Sequence, residues 1–249
     1  MVRDIWSRIC AQGWSHLDRI ERYLFNMLDG EATPENSSSR ELFRRLYIPG
    51  LGAGPYYGAD ALQSPVGIDE LAAIQGEAIS AFGERALVTD HSDLVVANDS
   101  SARAAWDCVY FRKEFKDVEK THHLFPVTSA FLKRQRLATE ALFSRLAPST
   151  NIERHSDCAN YVTTVHLPLM DSSSVINVAG AARQYVSGQV IIFDSSFYHS
   201  VDNSSCFNRD ILLFNIWHQD LSDQEIAAMM LIRNHWNSAI SFDPESGFL

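Results

Sequence analysis

His155 and Asp157 stand two positions apart, a second histidine, His199, follows well downstream, and Arg209 lies ten residues beyond it. In a strand, residues i and i+2 point to the same face, so the imidazole of His155 and the carboxylate of Asp157 can reach one ion. Two imidazoles and a carboxylate suit a non-haem iron(II) centre, with one coordination face left open for a chelating cosubstrate and dioxygen. A carboxylate at position 157 could instead accept a hydrogen bond from a ligand imidazole. Arg209 opens the apolar run Ile211, Leu212, Leu213 and Phe214, which places its charge at the start of a buried strand. A buried guanidinium needs an anion, and its planar fork matches a carboxylate at two points.

These residues need strands to hold them, and short β-rich runs bounded by turns recur at 161–169, 174–178, 190–194, 198–203 and 210–217. Their spacing predicts a fold that is mainly β with flanking α, a double-stranded β-helix of the jelly-roll, cupin-like kind. Gly188 and the cluster Asp194, Ser195, Ser196 are turn points, with Asp194 capping its turn. Apolar residues at helical spacing predict helices over 4–28, 67–82, 129–142 and 221–236. In the last, Ser222 is the expected N-cap and Glu225 its capping-box partner. The polar stretch 31–39 is a surface loop. Residues 48–66, rich in Gly, Pro and Tyr, exclude a regular helix and are expected to line a site. His122 and His123 are adjacent, so in an extended segment they face opposite ways and are expected to be loop residues. Cys158 is expected to be an inert thiol, and Trp217 and His218 packing residues.

A chain of 249 residues with 46% hydrophobic content suits one domain over 1–249. Its parts are an N-terminal helical portion to about residue 105, a β-helix core over about 106–219 and the C-terminal helix. The net charge of −10 argues against capture of nucleic acid or an anionic membrane surface. Charged residues such as Arg3, Asp4, Arg8, Asp18 and Arg19 exclude the apolar core of a signal peptide or membrane span from the first segment. Cys10, Cys108, Cys158 and Cys206 lack paired spacing, and the expected setting is a reducing cytoplasm.

Three blocks in order carry a family resemblance: His155, Asn160 and His166; Gly188 with 190–194, Ser196, Phe197 and His199; then Arg209, Trp217 and His218. Here 155–217 resembles the catalytic domain of the aspartyl/asparaginyl β-hydroxylases, iron(II)- and 2-oxoglutarate-dependent oxygenases on a double-stranded β-helix. The resemblance extends upstream through Trp106, Phe143, Ser144 and Pro148. It implies that His155 and His199 bind iron, that Arg209 with Ser144 holds the distal carboxylate of 2-oxoglutarate, and that His166 contacts the cosubstrate near its chelating end. Asp157 stands where the animal member has glycine, and Thr164 where it has an arginine for its substrate. The chain looks more like small soluble bacterial members that act in biosynthesis on free or carrier-tethered amino acids.

The expected reaction is hydroxylation of an unactivated carbon, the β carbon by preference, of an amino acid or a peptidyl or carrier-protein-tethered aminoacyl group, with Fe(II), 2-oxoglutarate and dioxygen as cofactors. Desaturation, epoxidation or cyclisation shares the same cofactors, and a non-catalytic cupin-like binding protein is the alternative from a different class. Residues expected to face the substrate are Tyr56, Tyr57, Trp106, Thr164 and Arg183, on the Gly-Pro-Tyr loop and the strand mouths. Arg183 is the candidate for a substrate carboxylate.

Overall fold

From Arg209 to Trp217 successive side chains alternate between two environments: Leu212, Phe214 and Ile216 join one apolar cluster, and Ile211 and Leu213 another. That period of two makes the segment a strand with both faces covered. The computed structural model describes residues 2–26, 36–43, 46–98 and 100–239. Its elements are α1 (Val2–Cys10), α2 (Asp18–Asn26), β1 (Tyr56–Tyr57), α3 (Ile68–Gly83), β2 (Thr89–Asp90), β3 (Val95–Ala97), β4 (Trp106–Lys113), β5 (Lys116–Asp117) and α4 (Glu119–Leu124). There follow α5 (Pro126–Lys133), β6 (Leu137–Leu146), β7 (Thr150–His155), β8 (Val162–Pro168), β9 (Val175–Val178), β10 (Ala181–Gln184), β11 (Ile191–Phe193), β12 (His199–Asn203), β13 (Arg209–Trp217) and α6 (Asp223–Ala239).

The strands form an eight-stranded sheet, ordered β1-β11-β8-β13-β6-β4-β2 with β5 on β4, and a five-stranded sheet ordered β10-β9-β12-β7-β3. All pairings are antiparallel. The two sheets face each other across Ile176, Val178, Val201, Ile191, Phe193 and Ile211, which is the jelly-roll arrangement of a double-stranded β-helix. Outside the large sheet, α3 buries Ile74, Ala78, Ala81 and Phe82 against Phe143, Val165 and Leu167. Gly188 turns the chain before β11 at φ +75°, where a Cβ would come within 2.8 Å of Leu71.

Several expected elements differ. The N-terminal segment is two helices broken around Gly13 at φ +70°, and residues 27, 28 and 31–35 lie outside the described ones. The expected helix over 129–142 ends at Lys133, and Leu137–Leu146 is a central strand between β13 and β4. Those neighbours saturate both of its hydrogen-bonding edges, which outweighs the helix propensity of its Leu, Ala and Glu residues. His122 and His123 lie on α4 rather than in an extended loop. The first hundred residues also supply β1, β2 and β3 to the sheets. Among the described residues no helix is long and apolar enough to cross a membrane.

The C-terminal helix begins as its capping signal indicates: Glu225 accepts from the Ser222 amide at 2.8 Å, and its own amide donates to Ser222 Oγ at 3.2 Å. Arg19 of α2 forms an ion pair with the same carboxylate, tying α2 to α6. Burial alone would raise the Glu225 carboxyl, but the bonds from Arg19 and Ser222 prevail and hold it below its ordinary 4.5. A depressed folded value contributes stability that is complete above the unfolded value and is lost as pH falls through the folded one. Glu225→Ala is therefore expected to cost about 2–4 kcal/mol in urea titrations at neutral pH. The loss should shrink below about pH 4.

Candidate metal centre and anion pocket

β7 and β12 pair so that His199 lies opposite His155, and the two rings sit 4.2 Å apart between centroids. Each ring is fixed in the same way. His155 Nδ1 lies 2.8 Å from the Glu153 carbonyl, and His199 Nδ1 lies 2.9 Å from the Phe197 carbonyl. A carbonyl only accepts, so Nδ1 carries the proton in both rings and each Nε2 is left with a free lone pair. Burial first, and His155 nearby, keep the His199 imidazole below its ordinary value and hence neutral at pH 7 despite the raising influence of Asp157.

Asp157 reaches the same place by another route than strand alternation, because β7 ends at His155. The Ser156 hydroxyl donates to the carbonyl of Glu41 at 3.0 Å or of Ser196 at 2.8 Å, and the Asp157 amide bonds the Ser195 carbonyl at 3.0 Å. Cys158 follows at φ +60°, and these pins turn the Asp157 carboxylate to within 4.0 Å of His155 Nε2. One ligand atom from each of His155, Asp157 and His199 lies within 4.8 Å of the other two. His199 is buried, while His155 and Asp157 are 43% and 48% exposed, so the cluster opens to solvent on one side. The loop before β12 is held by Arg40, which donates to Ser196 Oγ at 2.7 Å and pairs with Asp194 at 3.2 Å. Asp194 also accepts from the Ser196 amide at 3.0 Å, the expected turn cap.

On the inner face of the large sheet, Arg209 is 1% exposed. One guanidinium nitrogen donates to Ser144 Oγ at 3.0 Å, the Trp106 indole lies 2.9 Å from the same oxygen, and Arg209 Nε is buried with no partner. Among the described residues no carboxylate pairs with this guanidinium. The Tyr185 ring lies 5.4 Å from it, and the Tyr185 hydroxyl is 3.0 Å from His166 Nδ1. Burial, then the charge of Arg209, hold His166 neutral, and burial pushes the Tyr185 hydroxyl up to about 12. Phe193 stands edge-on between His166 and His199, at 5.1 and 5.3 Å, linking the anion pocket to the metal cluster. A buried cation with an orphaned donor beside three ligand atoms is the environment a chelating dicarboxylate would complete.

The remaining sequence-derived residues divide. Thr164 lies on the His166 face of β8 and bonds Asn215, 3.2 Å between oxygens. Tyr56 faces the space between the sheets, its hydroxyl 2.8 Å from the Ala181 carbonyl, and the Arg183 guanidinium stacks on its ring at 3.8 Å. Tyr57 points the opposite way, into the helix-covered core and 3.1 Å from His218 Nε2, so the structure does not bring it to the cluster. Trp106 sits beside Arg209 through the bond of its indole to Ser144 Oγ. Cys158 is buried, and desolvation raises its thiol, as expected for an unreactive cysteine. Two residues escaped the sequence reading. Tyr185 had no signal beyond its place after Arg183. Glu140 was hidden by the helix expectation, although in a strand it shares the face of Ser144; burial first, then Asp157, push its carboxyl up.

A sequence profile of the aspartyl/asparaginyl β-hydroxylases matches residues 69–219. The chain belongs to that family. The mouse aspartyl/asparaginyl β-hydroxylase is 29% identical over 107 residues, which cover 40% of this chain and 14% of the mouse protein. The human protein of the same name is 29% identical over 85 residues, 33% of this chain and 11% of its own length. The matched region is thus a small part of those longer relatives. Among solved structures, a Pseudomonas putida prolyl-4-hydroxylase aligns at a TM-score of 0.39 and 14% identity, covering 63% of this chain and 89% of that one. A 2OG-Fe(II) oxygenase family oxidoreductase from Burkholderia pseudomallei aligns at 0.39 and 14%, covering 59% and 78%.

Replacing an unpaired buried charge by an apolar side chain removes a desolvation cost without breaking an ion pair. Arg209→Met is therefore expected to leave the ligand-free protein at least as stable as wild type in urea. A loss above about 3 kcal/mol would show that the guanidinium is already satisfied.

Proposed function

We propose that this family member is an iron(II)- and 2-oxoglutarate-dependent dioxygenase that hydroxylates an unactivated carbon, the β carbon by preference, of an amino acid. The amino acid is free, peptidyl or tethered to a carrier protein, and the setting is cytoplasmic biosynthesis. The observation that carries the reading is the buried Arg209, with which no carboxylate among the described residues pairs, on the inter-sheet face that also carries the His155, Asp157, His199 cluster.

The residues divide the work by position. His155 and His199 offer Nε2 lone pairs already oriented by their Nδ1 bonds, and Asp157 adds a carboxylate, so the three would hold iron(II) on one face. Arg209 and Ser144 would grip the distal carboxylate of 2-oxoglutarate. His166, neutral and braced by Tyr185, stands ready to donate or accept a hydrogen bond near the chelating end. Phe193, Ile176, Val178 and Val201 line the space between the sheets and exclude water from it. When bound, iron(II) with 2-oxoglutarate and dioxygen supplies the oxidising power that converts C–H to C–OH, with succinate and carbon dioxide as co-products. The chain's own contribution is to place one C–H bond at the open side, between the exposed His155 and Asp157 and the polar row Thr164, Asn215, Thr139.

Incubated anaerobically with iron(II) and 2-oxoglutarate, the wild-type protein is expected to show the weak visible charge-transfer band of a chelated keto acid. His199→Ala should abolish it. Arg209→Ala should weaken 2-oxoglutarate binding roughly a hundredfold, the usual cost of deleting one member of a buried charge pair. No band in the wild type would return the cupin-like binding protein to first place.

A further inference from the structure

The metal-facing end of the large sheet carries a carboxylate that neither the cluster nor the anion pocket uses. Glu140 lies on β6, four residues from Ser144 on the same face, where the strand bulges against β13. It is partly buried, and no side-chain hydrogen bond or salt bridge joins its carboxylate to the described residues. The charged groups that reach it are Asp157, Glu114 and Lys113. Lys113, the sole cation of these, is exposed and occupied over the Tyr110 ring at 5.0 Å. Beside Glu140 runs the polar row in which Asn215 spends its amide on Thr164, at 3.2 Å, and Thr139, at 2.7 Å. These bonds leave no cation in that row to answer the carboxylate.

We infer that Glu140 selects the substrate by its charge, binding a protonated nitrogen, an ammonium or guanidinium, and holding it beside the open side of the metal cluster. The inference rests on the oxygenase reading and names its substrate class. In that reading the charges of iron(II), Arg209, Asp157 and 2-oxoglutarate cancel, so Glu140 is left as the unbalanced charge of the pocket. A cationic group would remove that imbalance and gain a charge-assisted hydrogen bond, whereas an anionic side chain would meet Asp157 and Glu140 together. The cation is either the α-ammonium or a basic side chain, and both have the same chemistry.

The test is anaerobic calorimetry on protein loaded with iron(II) and 2-oxoglutarate. The probes are the proteinogenic L-amino acids, their Nα-acetyl derivatives and their aminoacyl thioesters of N-acetylcysteamine. The charge-transfer band, read first, tests the oxygenase reading separately. Every binding probe is expected to carry a cation. Retained binding of Nα-acetyl-lysine or Nα-acetyl-arginine identifies the side chain, and its loss identifies the α-ammonium. Glu140→Gln should weaken the binding probe about tenfold or more, Glu140→Lys should abolish it, and Glu140→Asp should keep the preference for cations. Equal binding of uncharged probes, unchanged affinity in Glu140→Gln, or a wild type that shows the band yet binds no cationic probe would overturn the inference.

Discussion

The register of β12 against β7 is the constraint on which the site depends. His199 faces His155 across that pair, and a slip of one residue would turn the His199 ring to the other face of the sheet. The register is secured at both ends. Asn203 closes one end by donating to the carbonyls of Leu146, Ala147 and Phe207. At the other, Arg40 and Ser156 clamp the loop that leads into His199. Irregular pairing between His199 and Val201 confines the local distortion to the residues next to His199.

The large sheet answers with a second constraint of opposite character. Its outer face, covered by α3, is apolar, and its inner face holds Arg209, Ser144, His166, Glu140 and Asn215 in place of a continuous hydrophobic layer. Most of these polar groups satisfy one another: Ser144 accepts from Arg209 and Trp106, His166 meets Tyr185, and Asn215 meets Thr164 and Thr139. Arg209 Nε, at the buried end, is the exception, and Glu140, toward the mouth, has a carboxylate that no described side chain pairs. An unsatisfied donor in an otherwise complete network marks where a molecule from outside belongs.

Much of this was legible in the sequence, and the parts that were not share a cause. The five expected strands after residue 160 are present to within a residue or two because their alternation and turn residues are local signals. So is the Ser222 and Glu225 cap. Ala, Glu and Leu favour a helix where β6 lies, and only its pairing with β13 and β4 decides otherwise. The same local preference conceals Glu140, since facing direction follows from period. The grouping of His155, Asp157 and His199 was foreseen, but the geometry was not: Asp157 arrives through a loop pinned by Ser156 rather than along a strand. Tyr56 and Tyr57, paired in the sequence reading, part company because a two-residue strand must send them to opposite faces.

Both histidines have their Nδ1 atoms tied to carbonyls of their own strands and loops, so the rings hold their orientation whether or not an ion is present. Such a ready-made pair asks little of the metal that enters it. Imidazole and carboxylate donors bind copper and zinc more tightly than iron, following the usual ordering of divalent ions. A pre-oriented cluster open to solvent does nothing to reverse that ordering, so which ion it would carry is decided by supply. The same rigidity that spares the site an ordering cost leaves it exposed to occupation by the wrong metal.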